Sequence, residues 1–117
     1  CLKNLNFQCS SGKQYRDFLY VDDFIELVFL ILTKNKLTHS IYNVGFGKPY
    51  KVKTIIKKIQ KIINKGKPIF DKIPLRKEEN LITYPDISRA KIFLKWKPKT
   101  NLEKGIKKTI KYYKHKN

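Results

Sequence analysis

The sequence predicts an α/β domain, and three observations carry that expectation. Short runs rich in aromatic and β-branched residues alternate with longer runs of helical periodicity. Between Val52 and Ile63, the residues Val52, Ile55, Ile56, Ile59, Ile62 and Ile63 recur at helical spacing, with lysines on the other face. Thr100-x-x-Glu103 reads as a capping box that opens a last helix with Leu102, Ile106, Ile110 and Tyr113 as its core stripe.

The elements follow in order. Phe7 to Ser10 reads as a short strand before a turn at Ser11-Gly12. Arg16 to Val21 carries Phe, Leu, Tyr and Val in alternation and reads as a strand. Asp22 or Asp23 is placed to cap the helix that follows, because a carboxylate accepts orphan N–H groups and complements the dipole. That helix, to about Lys34, is apolar nearly all round, so it should be buried on several sides. "SIYNVGFG" reads as a strand running into a Gly turn. Asn64, Gly66 and Pro68 end the periodic helix. Ile69 to Ile73 suits a short strand, and "PLRKEENLITYPD" a polar loop with an extended stretch. "ISRAKIFL" is a short helix with Asp86 as its cap, and "KWKPK" is a turn.

At 117 residues and 41% hydrophobic, the chain suits one domain or a piece of one and can build a core. "FIELVFLIL" is too short for a membrane span and contains Glu26. The start "CLKNLNFQCSSG" has no signal-peptide pattern. The sequence contains no Met, so Cys1 is not expected to be the natural start, and the chain is expected to be the C-terminal part of something longer. Cys1, Cys9, His39 and His115 show no metal-ligand spacing; a disulfide is possible on paper, but a reduced, cytoplasmic pair is the expectation.

Net charge is +18. One reading is a nucleic-acid binder. The favoured reading is compositional bias: 24 Lys, 15 Ile and 8 Asn are what an AT-rich genome writes at solvent and core positions. The lysines are spread along the chain, and the aromatics fall in apolar patterns rather than among arginines. Only three arginines occur, Arg16, Arg76 and Arg89. An Arg in so lysine-rich a chain points to a site wanting the planar fork that matches phosphate oxygens two at a time. The competing reading of Arg16 is a salt bridge to a carboxylate such as Asp17. For Arg76 it is a solvated loop charge, and Arg89 reads as a solvated helix residue.

The segments "GKQYRDFLYVDD", "YNVGFGK", "DISRAKIFLKWKP" and "LEKGIKKTIKYY", in this order, resemble the C-terminal portion of the NAD-dependent epimerase/dehydratase family. These are extended short-chain dehydrogenases that act on nucleotide sugars, and the resemblance runs from Gly12 to about Tyr113. It implies an α/β fold made of the last Rossmann strand and helix elements plus a small substrate-binding domain, over residues 1–117. It implies that Arg16 and Arg76 contact the diphosphate of a nucleotide-diphosphate sugar, and that Glu79 reaches a ribose hydroxyl or positions Arg76. Asp17, Asp22 and Asp23 then orient the loop and cap the helix. Gly45 and Gly47 permit a strand-to-helix turn rather than forming a dinucleotide fingerprint. That helix starts at Tyr50-Lys51, where the family usually offers a Ser or Thr cap. Trp96 packs under a turn in which Lys95 replaces the family's Gly.

The family's other parts are a Gly-rich turn for NAD or NADP and a catalytic Tyr-x-x-x-Lys. Tyr112-x-x-x-Lys116 matches the latter by letter only, as chance allows in a lysine-rich chain. The resemblance therefore implies a longer parent, with cofactor and catalysis in an N-terminal Rossmann portion outside this chain and no catalytic residue within it. The parent would be an epimerase, dehydratase or reductase of surface polysaccharide precursors that oxidises C4 of a hexose, and helix-pair homodimers are common in the family. The other expectations are a stand-alone basic module binding nucleic acid or an acidic partner, and a non-catalytic truncated remnant. Half a parallel sheet would leave apolar faces exposed and poor stability alone.

Overall fold

The structure, a computed structural model, describes residues 1–115. Lys116, the second member of the Tyr112-x-x-x-Lys116 match, lies outside the described residues. Five short strands and four helices alternate along the chain: β1 (Phe7–Gln8), β2 (Tyr15–Asp17), α1 (Val21–Thr33), β3 (Pro49–Lys51), α2 (Val52–Ile63), β4 (Pro68–Ile69), β5 (Ile82–Thr83), α3 (Ser88–Phe93) and α4 (Leu102–His115). The α/β expectation holds. β1 pairs with β4 in parallel. β2 is the centre of a second sheet, antiparallel to β3 and parallel to β5, with Arg16 opposite both Tyr50 and Thr83.

Two strands differ from the sequence reading. The strand expected from Arg16 to Val21 stops at Asp17. Its neighbours are only two or three residues long, and the Tyr20 carbonyl already accepts from the N–H groups of Asp23 (3.1 Å) and Phe24 (3.3 Å), so the chain turns into α1. The strand expected over "SIYNVGFG" does not form; the ladder begins at Pro49. The N–H groups of Phe46, Gly47 and Lys48 donate instead to the Asp17 carboxylate, at 2.7, 2.6 and 3.1 Å. The expected strand from Ile69 to Ile73 is likewise trimmed to Pro68–Ile69.

The helix ends are also informative. Neither Asp22 nor Asp23 caps α1: Tyr20 is the N-cap residue and makes no side-chain cap bond. Both carboxylates sit in the first turn, where they complement the dipole. Asp23 is buried and turned to α4, accepting from the Thr100 N–H (2.9 Å) and hydroxyl (3.1 Å). Thr100 is thereby taken out of the expected capping box. Asn101 caps α4, its side-chain oxygen accepting from the Lys104 N–H at 2.9 Å, while Glu103 pairs with Lys107 at 2.7 Å. Helix α2 has no side-chain cap; its first N–H groups, of Val52 and Lys53, donate to the backbone carbonyls of Gln14 and Gly12, both at 2.9 Å. It ends at Asn64 in the left-handed conformation, as its sequence signals suggest.

Asp86 secures α3 from two residues ahead, its carboxylate accepting from the Ser88 N–H (2.9 Å) and hydroxyl (2.5 Å). The Ser88 hydroxyl bond, then its N–H bond and the nearby Lys91 and Arg89 charges, hold the Asp86 carboxyl below its ordinary range. Arg89 is exposed, as expected.

The core gathers Leu27 of α1, Ala90 and Leu94 around α3, and Trp96, so the indole packs as the sequence suggests. Lys95, beside it, has φ 54°. A Cβ is disfavoured there, which is why the family's Gly suits the position. Lys95→Gly is expected to raise stability by about 0.5–1 kcal/mol, read as a higher urea midpoint. The Cα atoms fill a slab of 50 × 38 × 17 Å, thin enough to leave helix faces without a covering layer. Helix α1 shows this most clearly. Contrary to expectation, only Asp23 and Leu27 are buried on it; Phe29 is 64% and Leu32 75% exposed, and Val21, Ile25 and Val28 share that outward face.

Candidate functional site

The candidate site is built at the C-terminal ends of β2 and β5. Parallel pairing of these strands, more than 60 residues apart in sequence, brings Arg16 beside Glu79, and the two side chains form an ion pair through Nη2 and Oε1. Arg16 Nη1 also donates to the Tyr15 carbonyl at 2.8 Å. Both partners are partly buried, 30% and 23% exposed, so the guanidinium is held in a fixed orientation. The sequence offered a salt bridge to a carboxylate such as Asp17 as the alternative for Arg16. The carboxylate that takes the role is Glu79, itself a sequence-derived site residue. The pair does not exhaust Arg16: of the five N–H donors of a guanidinium, two are engaged in these contacts.

Next to Arg16 lies a cleft of about 460 Å³, lined by Arg16, Asp17, Asn43, Val44, Thr83, Tyr84, Pro85 and Asp86. Asp17 lines it and holds the loop that follows Asn43 and Val44. Gly47 has φ 78°, a conformation suited to glycine, and a Cβ on Gly45 would overlap the Pro85 ring. Asn43 crosses the cleft, its amide donating to the Asp86 carbonyl at 3.2 Å. The glycines therefore serve the turn and the close approach of the Pro85 segment. Three successive N–H groups of the kind that cradle phosphates are here filled by Asp17, so this loop does not form a pyrophosphate cradle.

Arg76 is placed differently. It opens the turn in which the Glu79 N–H donates to the Arg76 carbonyl at 3.1 Å, its residue is exposed, and like Glu79 it does not line the cleft. The structure thus unites two of the three sequence-derived site residues and leaves the third on the adjoining turn. Thr83 and Tyr84 line the cleft without having been singled out in the sequence. The signal was slight: a two-residue strand inside a segment read as a polar loop. In the sequence Asn43 stands only as part of a glycine turn.

Among the described residues, no group of three or more His, Cys, Asp or Glu side chains could hold a metal ion. Cys1 and Cys9 are both free thiols. No described helix is long and apolar enough to cross a membrane.

Comparison with known proteins agrees with this architecture. The family model for GDP-mannose 4,6 dehydratase matches residues 3–109. The UDP-glucuronate 4-epimerase of Thermodesulfobacterium geofontis is 35% identical over 104 residues, which is 88% of this chain and 31% of that protein. A putative UDP-glucose 4-epimerase of Methanocaldococcus jannaschii is 36% identical over 108 residues, 91% of this chain and 33% of that protein. Among solved structures, the UDP-glucose 4-epimerase of Thermotoga maritima with UDP-glucose superimposes with a TM-score of 0.84 at 28% identity, over 98% of this chain and 37% of that one. The chain thus spans about a third of the length of these relatives. A family match over nearly the whole chain, the shared α/β fold and the ordered motifs agree: the chain belongs to the NAD-dependent epimerase/dehydratase family of extended short-chain dehydrogenases acting on nucleotide sugars.

Proposed function

We propose that these 117 residues are the C-terminal, substrate-binding part of an NAD(P)-dependent nucleotide-sugar epimerase, dehydratase or reductase that makes precursors of surface polysaccharide. The single observation that carries this reading is the Arg16–Glu79 pair at the edge of the cleft. An anchored guanidinium with donors to spare suits a diphosphate, which presents oxygens in pairs. Glu79 orients Arg16 and accepts from a ribose hydroxyl in this reading, while Arg76, exposed on the neighbouring turn, supplies a second positive charge to the same diphosphate. The cleft beside them takes the nucleotide end of a nucleotide-diphosphate sugar.

The remaining two thirds of the parent is an N-terminal Rossmann portion that holds NAD or NADP and the catalytic Tyr and Lys. The bound dinucleotide supplies the hydride acceptor and donor; the residues of this chain bind and orient the sugar against it. The outward apolar face of α1 supports the reading, because a helix apolar on both sides belongs between two layers. The parent is proposed to be a cytoplasmic homodimer.

The test is calorimetric titration with UDP. Saturable 1:1 binding is expected, weakened at least about tenfold in Arg16→Lys, because an ammonium is a point charge and cannot form the fork. Equal affinity in the two proteins removes Arg16 from the site.

A further inference from the structure

Charge is divided unevenly among the helices. Helix α1 carries Asp22, Asp23 and Glu26 and no lysine. Helix α2 carries four lysines and no acid, and α4 five lysines and one acid, Glu103. A genome rich in lysine codons accounts for how many lysines the chain has, not for this division. Helices α2 and α4 pack against each other, and their apolar residues, such as Ile59 and Ile106, line one groove. Helical spacing puts Lys57, Lys58 and Lys61 of α2 and Lys104, Lys107 and Lys111 of α4 on the faces turned away from that groove, and all six are exposed. The two lysine faces join. Glu103 pairs with Lys107 at 2.7 Å, and its carboxyl is held below the ordinary range by that hydrogen bond, by the Lys107 charge, and then by the charge of Lys58 on α2. Among the described residues Glu103 is the one acid that pairs with any of the six.

We propose that this joined lysine face of α2 and α4 is a docking surface for an anionic lipid bilayer, on which the protein rests without inserting. The face stays in water in a longer protein too, because lysines are almost never fully buried unless paired. Its chemistry separates a bilayer from other polyanions. Neither helix contains an arginine, so the face offers point charges and no fork for an individual phosphate. Helix α2 has no aromatic residue, and Tyr112 and Tyr113 of α4 fall outside the lysine spacing, so nucleic-acid bases have nothing to stack on. A leaflet of anionic headgroups needs neither. It responds to the number of lysines brought to one surface, each changing partition by about fivefold. Basic amphipathic helices suit this contact. The inference goes beyond the nucleotide site, since Arg16 and its cleft belong to the β2–β5 pairing and not to these helices.

The experiment is co-sedimentation of the chain with vesicles of phosphatidylglycerol and phosphatidylcholine in about a 3:7 ratio, and with vesicles of phosphatidylcholine alone. Binding is expected to the first and not to the second, and is lost as salt rises to about 0.5 M. Lys61→Gln combined with Lys111→Gln, one from each helix, is expected to weaken partition about twentyfold. Lys36→Gln combined with Lys97→Gln removes the same charge from exposed loop positions and is expected to change it less than about threefold. Glu103→Gln, which clears the acid from the face, is expected to tighten binding about fivefold, so the test does not rest on losses alone. Equal binding to both kinds of vesicle overturns the proposal. Equal weakening by the two lysine pairs also overturns it, because net charge and not this face would then be the cause. So does removal of the chain from vesicles by a DNA duplex at equal phosphate concentration, which would make the face a nucleic-acid surface. UDP titration of the same variants keeps the two ideas apart: the Lys61 and Lys111 pair is expected to leave UDP affinity unchanged, and failure at either site leaves the other standing.

Discussion

Replacing Asp17 by alanine is expected to cost about 2–4 kcal/mol of stability and to remove UDP binding together with it. The carboxylate accepts from three consecutive backbone N–H groups, of Phe46, Gly47 and Lys48. Hydrogen bonds to a charged group contribute about 1.5–3 kcal/mol each, and part of that is recovered here because the loop is only half-buried and water can reach its N–H groups. Among the described residues this segment makes no strand ladder before Pro49, and its other hydrogen bond across the cleft is the one from the Asn43 amide to the Asp86 carbonyl. Without Asp17 the loop loses its place against Pro85, and the cleft beside Arg16 loses one wall. Asp17→Asn keeps an acceptor but not the charge, and should fall between alanine and the native residue. Chemical denaturation measures the stability term, and UDP titration the loss of the site. An Asp17→Ala protein that binds UDP normally would show that the loop does not shape the cleft.

Asp23→Ala is expected to cost about 2–4 kcal/mol with no specific effect on the Arg16 site. Asp23 is 4% exposed and Thr100 8%. Removing the carboxylate strands the Thr100 N–H and hydroxyl in a buried place, and an unsatisfied buried donor costs about 1–3 kcal/mol. The link it breaks ties the first turn of α1 to the entry of α4, so unfolding should become less cooperative as well as easier. Asp23→Asn should recover part of the loss through its remaining carbonyl oxygen. A stability change below about 0.5 kcal/mol for Asp23→Ala would mean that water replaces the carboxylate at Thr100.

Much of this architecture is legible in the sequence, and the places where it is not have local causes. Helix α2 is read correctly because a long apolar stripe, lysines on the other face and an Asn-x-Gly end all agree. The short strands are harder: three of the five are two residues long, too short to show alternation. Asp23 and Thr100 each carry the signature of a helix cap, and each spends its capping atom on the other, a tertiary contact that no local pattern reveals. Helix α1 is apolar all round, which leads to the expectation of burial on several sides, but among the described residues only Asp23 and Leu27 are buried on it and its outer face is uncovered. Of the site, Arg16 stands out by the rarity of arginine among lysines. Its partner Glu79 follows from the resemblance, whereas their meeting depends on the parallel pairing of β2 with β5, a register that only the fold supplies. Arg76 is the converse: its position in the motif is clear, yet its residue stands exposed beside the cleft rather than in it.

The most direct measurement of the central claim is an amide chemical-shift map of the chain titrated with UDP at two salt concentrations. The account predicts saturable shifts confined to Arg16, Asn43, Arg76, Glu79, Thr83 and Tyr84, with midpoints that move little with salt. Shifts spread over the lysine-rich faces of α2 and α4, weakening steeply as salt rises and equally strong with any polyanion, would contradict it, and would make the chain a basic surface rather than a nucleotide-sugar site.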